Sequence, residues 1–154
     1  MQINNIKDFH IPDKVFTKNL SSSLSYVLDE KEYSILDNTP ASRTKKYIKE
    51  KFKKSGYVSD VPLFYGSNKK IDLLKNNQIG IQIQFGNHAQ VWFDVLKMGY
   101  LFDNKRIEAG VVITLNKTIA NNINGGMTNF EDTVKSYKEF ANFLKTPLVF
   151  VEIS

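Results

Sequence analysis

The chain has 154 residues, 42% of them hydrophobic and 12% aromatic, and contains no cysteine. That length makes one domain able to bury about two-thirds of its unfolded surface, and the absent thiols exclude a disulfide framework, a thiolate zinc site and a cysteine nucleophile. The formal charge is +5, and all of the excess lies before position 78, where 14 basic residues face 9 acidic ones; beyond it there are 7 of each.

In chain order, Val15, Phe16, Leu20, Leu24, Val27 and Leu28 recur near helical spacing and predict an amphipathic helix in a helical N-terminal part, residues 1–39. Asp8, His10 and Asp13 interrupt any signal-peptide core, and no apolar run approaches the roughly 20 residues of a membrane span. A cytoplasmic protein with no membrane partner is therefore expected. A second helix is predicted from Thr39-Pro40, a cap followed by a residue suited to the first helical turn, to a stop at Gly56. Its stripe would be Tyr47, Ile48 and Phe52, with the lysines outside. Within it, seven of the twelve residues from Arg43 to Lys54 are basic and one is acidic. Such a segment is either a solvated helix face or an attractor of DNA or RNA.

Tyr57 to Tyr65, interrupted by Pro62, reads as an irregular or edge strand. Lys70–Lys75 and Ile79–Phe85, joined through Asn76-Asn77-Gln78, read as a hairpin. In the second run Ile79, Ile81, Ile83 and Phe85 point one way and Gly80, Gln82 and Gln84 the other. Residues 88–102 carry Val91, Trp92, Val95, Leu96 and Leu101 at helical spacing, with Trp92 and Phe93 expected in the core. Ala109–Leu115 and Leu148–Ile153 read as buried strands. Between them lie an Asn- and Gly-rich loop, Asn116–Asn129, and a helix from about Phe130 to Leu144. This order predicts a single α/β domain with a central mixed β-sheet flanked by helices.

Asp72 on one hairpin strand and Gln82-Ile83-Gln84 on the other form the constellation with chemical content. Gln82 and Gln84 share a face, and Asp72 reaches it if the register allows. With Glu at 82, two carboxylates and the carbonyl of Ile83 would suit a hard divalent cation, with the third side chain left to orient water. The plainer reading of all three is a solvated sheet face. His10 and His88 are too few to define a zinc site. His88 stands at a helix start, and Asp94 and Glu108 are conceivable substitute carboxylates. The loop is long for a core connection, and asparagines suit adenine recognition in the major groove.

Ile71-Asp72, Ile81-Gln-Ile-Gln-Phe-Gly-Asn87, Ile107-Glu-Ala-Gly-Val-Val-Ile113 and Pro147–Ile153 together resemble the type II restriction endonucleases related to BglII and BstYI, in the PD-(D/E)xK nuclease superfamily. The resemblance implies a restriction-endonuclease-like core over about 40–153. It also implies cleavage of a short palindromic double-stranded DNA site, with a GATC-containing site as the expectation, by a homodimer using Mg²⁺ or Mn²⁺, with Ca²⁺ as a non-cleaving substitute. Asp72 falls at the family's metal-binding Asp, and Ile83 lends a carbonyl. Gln84 falls at the residue that places water. Asn87, His88, Lys97, Arg43, Lys46, Asn121, Asn122 and Asn124 are the expected DNA contacts. Two departures stand out: Lys70-Ile71 replaces the Pro that gives the superfamily its name, and Gln82 occupies the position of the second metal-binding carboxylate. An amide there, introduced or natural, removes the charge that holds the metal and implies an inactivated enzyme that keeps its shape and DNA binding. The alternatives are a catalytically silent DNA-binding protein on the nuclease fold, with Gln82 native, and an unrelated RNA- or protein-binding α/β domain.

Overall fold

The computed structural model describes residues 1–11, 20, 23–28, 41–75, 78–124 and 126–154. Among these, six strands form one mixed sheet in the order β1 (Ile3–Phe9), β6 (Leu148–Ile153), β5 (Ile107–Leu115), β4 (Gln78–Ile83), β3 (Lys70–Lys75), β2 (Val58–Pro62). The central pairs β4–β5 and β5–β6 are parallel, whereas β1–β6, β3–β4 and β2–β3 are antiparallel. Parallel strands need helical crossovers, which cover both faces and demand near-continuous apolar strands. Val111-Val-Ile in β5 and Leu148-Val-Phe-Val in β6 meet that demand and are buried throughout.

Helix α1 (Ala41–Lys54) covers one face, together with the helical residues 23–28. There Ile48, Phe52, Leu24 and Leu28 pack over Ile81, Ile83, Val111, Ile113, Val149 and Val151. The opposite face carries α2 (His88–Asp103) and α4 (Phe130–Phe140), where Val91, Val95, Met98, Val134 and Tyr137 pack on Val112, Leu148 and Phe150. A short helix, α3 (Lys117–Ile123), follows β5.

The seat of α2 is set by two glycines paired across β4 and β5, Gly80 and Gly110. A Cβ on Gly110 would stand 2.7 Å from both Met98 Cγ and Leu148 Cδ2, and one on Gly80 would stand 3.1 Å from Met98 Sδ. Bare backbone at both positions lets α2 approach closely through Met98.

The mixed sheet, the hairpin strands, α2 and the two apolar strands agree with the sequence reading, and the Tyr57–Tyr65 run contains the edge strand β2. Four expectations change. Within residues 1–39, read as helical, Ile3–Phe9 is a strand paired with β6; its apolar residues recur at every third position and a register shift follows Ile3, which hides the period of two. The Asn116–Asn129 segment is not wholly a loop, since Asn116 caps α3 by accepting from the Ile119 N–H at 2.8 Å. Helix α4 ends at Phe140 rather than near Leu144. Phe93 is 57% exposed rather than core, and Trp92 is part-buried, edge-on to Phe140. The helix positions Val15 and Phe16, the Thr39-Pro40 start and the Asn76-Asn77 turn lie outside the described residues.

Candidate active site

The hairpin register pairs Leu73 with Ile81 and Leu74 with Gly80, so its continuation sets Asp72 opposite Gln82. Hydrogen bonds fix that juxtaposition. The Gln82 Oε1 accepts from the Asp72 backbone N–H at 2.6 Å, and Asp72 Oδ2 accepts from the Ile83 N–H at 2.9 Å. Asp72, Gln82, Ile83 and Gln84 are all at least nine-tenths buried, so this is no solvated sheet face. Buried polar groups must be partnered, and the partners define the site.

Gln82 uses both ends of its amide. The oxygen takes the Asp72 N–H, while Nε2 donates to Oδ1 of Asp94 on α2. The same Asp94 oxygen accepts from Lys97 Nζ at 2.8 Å. Burial disfavours the Asp94 carboxylate and, with the added charge of Asp72, outweighs the Lys97 and Gln82 hydrogen bonds; its pKa is raised above the ordinary Asp value.

Asp72 turns to the other layer. Two lysines one helical turn apart on α1 meet its carboxylate: Lys45 Nζ lies 2.7 Å from Oδ2 and Lys49 Nζ 3.0 Å from Oδ1. Lys49 also binds Asp60 Oδ1 at 2.6 Å. Burial disfavours the Lys49 ammonium, but its hydrogen bonds to Asp60 and Asp72 more than compensate and raise its pKa. The centre is thus a chain of alternating charge, Asp60–Lys49–Asp72–Lys45, joined through Gln82 to Asp94–Lys97.

Gln84 points its oxygen back to the Gly86 N–H at 3.0 Å, and its buried Nε2 has no hydrogen-bond acceptor. Asn87 caps α2 by accepting from the Gln90 N–H at 3.1 Å. Both ring nitrogens of His88 meet hydroxyls, Thr128 Oγ1 at 3.3 Å and Ser136 Oγ at 3.0 Å. The Thr128 N–H donates to the Gly86 carbonyl at 2.8 Å, and Asn87 bridges Met127, so the segment after α3 is fastened beside the end of β4. Asn121 and Asn122 are exposed on α3, and Asn124 follows it; Arg43 and Lys46 are exposed on α1. The hairpin therefore brings Asp72, Gln82 and Ile83 into direct contact. Lys97 joins them through Asp94, whereas Arg43, Lys46 and the three asparagines stand apart from that network.

Lys45 and Lys49 are the site residues that sequence reasoning passed over individually, treating the lysines of this helix as lying outside its stripe. The available signal was their position: each directly follows a residue of the buried stripe Thr44, Ile48, Phe52.

These residues do not form a magnesium site as they stand. Mg²⁺ is held by carboxylates and waters in an octahedral oxygen shell. Here the first carboxylate already serves two ammonium groups and a backbone N–H. The second position is an amide committed at both ends. Among the described residues, no group of three or more His, Asp or Glu side chains is placed to hold a metal ion.

This mixed sheet, covered on both faces and with a polar centre on the hairpin next to its parallel core, has the fold of solved restriction endonuclease structures. The crystal structure of restriction endonuclease BglII complexed with a DNA 16-mer is similar at a TM-score of 0.76 and 15% identity, over 100% of this chain and 78% of that one. Free BglII is similar at a TM-score of 0.72 and 15% identity, over 100% and 80%. The family model for restriction endonuclease BglII/BglIII matches residues 8–153, and the chain belongs to that family. No curated protein sequence matches it. Among the described residues, no helix is long and apolar enough to cross a membrane.

Proposed function

We propose that the chain is a type II site-specific deoxyribonuclease by descent, with the PD-(D/E)xK hairpin, that binds a short palindromic duplex site as a homodimer and has its Mg²⁺-dependent cleavage disabled by Gln82. One observation carries the reading: the Gln82 amide bridges the Asp72 N–H and the Asp94 carboxylate. An amide does this without charge, whereas the chemistry of the family needs a second carboxylate beside Asp72. The family membership supports DNA as the partner. Exposed Arg43 and Lys46 suit phosphate contacts, and Asn87, Asn121, Asn122 and Asn124 suit base reading, with a GATC-containing site as the first to try.

A row of exposed apolar residues on α2, Phe93, Leu96 and Tyr100, supports the homodimer. It continues into a groove of about 390 Å³ lined by Trp92, Phe140, Phe143 and Leu144. An apolar surface of this kind marks an interface, and a two-fold dimer matches a palindromic site.

Supercoiled plasmid incubated with Mg²⁺ or Mn²⁺ tests the reading. The chain is expected to leave it intact and Gln82→Glu to cut it; a variant that folds and still fails to cut overturns the assignment of position 82. The second reading rests on Asp94, a buried carboxylate within the field of Asp72. If Asp94 substitutes for the missing acid, the unaltered chain cuts the plasmid and Asp94→Asn abolishes cutting.

A further inference from the structure

We propose that Lys45 and Lys49 take the place of the divalent cation at this centre, so that the chain grips the DNA backbone there without any metal. The inference rests on the DNA-binding reading above and deepens it. Three observations converge. Both oxygens of the Asp72 carboxylate are met by ammonium groups, at 2.7 and 3.0 Å, where a cation would have to enter. The lysines share one face of α1 and are part-buried, Lys49 with its side chain 15% exposed and Lys45 35%. Gln84, 5% exposed just past the end of β4, keeps a buried Nε2 donor with no acceptor.

A buried donor without an acceptor is costly, and a site that carries one is completed by an oxygen atom from a ligand or water. Lys45 is the more open of the two ammonium groups and has donors to spare, since an ammonium has three N–H groups and no acceptor. Lys49 is fastened by Asp60 as well as Asp72, which holds the pair in place. A phosphate oxygen arriving at this edge of the hairpin meets the part-exposed Lys45 ammonium, a positive group fixed on Asp72. A divalent cation arriving there meets two like charges. Gln82 belongs to the same arrangement, because its neutral amide leaves the lysines enough positive charge to balance Asp72.

The test is the affinity of the full chain for a fluorescein-labelled duplex carrying GATC and for a mixed-sequence duplex, by anisotropy at low salt, in EDTA and in CaCl₂. The expected Kd agrees within about twofold between the two conditions. Lys45→Gln, which leaves the Lys49–Asp72 pair intact, weakens binding several-fold in both and lowers the slope of log Kd against log salt by about one. Gln82→Glu makes binding respond to Ca²⁺, by at least about tenfold. Thermal unfolding of the unaltered chain shows no shift on adding CaCl₂, and the same measurement verifies that each variant is folded. Binding in Ca²⁺ that falls tenfold or more in EDTA overturns the inference and leaves the DNA reading standing. So does metal-indifferent binding that Lys45→Gln does not weaken. No binding to any duplex at low salt in either condition overturns both.

Discussion

Gln82→Glu should destabilise the chain when no divalent cation is present, and the structure sets the size of the effect. Gln82 and Asp94 are 4% and 2% exposed, and the Gln82 amide donates directly to Asp94. Glutamate keeps the acceptor for the Asp72 N–H but replaces the donor with an oxygen facing another oxygen. A hydrogen bond to a charged group is worth about 1.5–3 kcal/mol, and its loss here is joined by repulsion between two buried acids. At neutral pH the expected loss is about 2–4 kcal/mol, or a fall of roughly 4–16 °C in the unfolding midpoint for a chain of this size. The buried acids hold a shared proton more tightly than the unfolded chain does, so the deficit should shrink as pH falls towards the ordinary carboxylate range. Urea denaturation in EDTA at several pH values measures it. The swap Gln82→Glu with Asp94→Asn keeps one acid, one amide and the Lys97 ammonium, so it should recover at least half the loss. A single variant as stable as the unaltered chain at neutral pH, or a swap that recovers nothing, refutes the assignment of the Gln82–Asp94 bond as the clasp between hairpin and helix.

Gly110→Ala forces Met98 and Leu148 aside and should cost about 1–3 kcal/mol of unfolding free energy, read as a fall in urea midpoint without a change of slope. Asp94 has a folded-state pKa above its unfolded value, so its contribution to stability is full below the ordinary Asp pKa of about 3.9 and is lost as pH rises through the raised value. Asp94→Asn should therefore lose less stability than the unaltered chain as pH rises from about 4, and parallel profiles would contradict the shift. Leu96→Asp, at a position 61% exposed, should leave folding within about 0.5 kcal/mol but shift sedimentation from dimer to monomer. An unchanged dimer removes α2 from the interface.

How much was legible in the sequence follows from where periodicity is decisive. The run Ile79–Phe85 alternates because its isoleucines enter the layer under α1 while Gly80 and Gln82 meet α2, and the centres of β5 and β6 are apolar runs because these strands pair in parallel and are covered twice. Both patterns are local and were readable. β1 was not, since its apolar residues fall at positions 3, 6 and 9 and its place is fixed by β6, far away in the chain. Helix α3 was hidden by its composition, in which asparagines of low helical propensity surround one buried residue, Ala120. The contact of Asp72 with Gln82 was readable because a hairpin register has few choices. The contacts of Asp72 with α1 and of Gln82 with α2 were not, because layer packing alone determines which helix side chain reaches which strand.

Those two contacts explain why the centre is bonded to helices on both sides of the sheet. The Gln82 side-chain oxygen accepts from the Asp72 backbone N–H, yet the two side chains are bonded to different helices, Asp72 to Lys45 and Lys49, Gln82 through its Nε2 to Asp94. The hairpin is thus held by α1 through charge and by α2 through an amide. Helix α2 is in turn seated by Met98 against the Gly80–Gly110 gap, while its outer row of Phe93, Leu96 and Tyr100 faces away from the sheet. A change at the outer row can reach the centre only by moving the helix, and close packing at Met98 resists that movement. Loss of the dimer through Leu96→Asp should therefore cost avidity for a palindromic duplex while leaving the dependence on Lys45 unchanged.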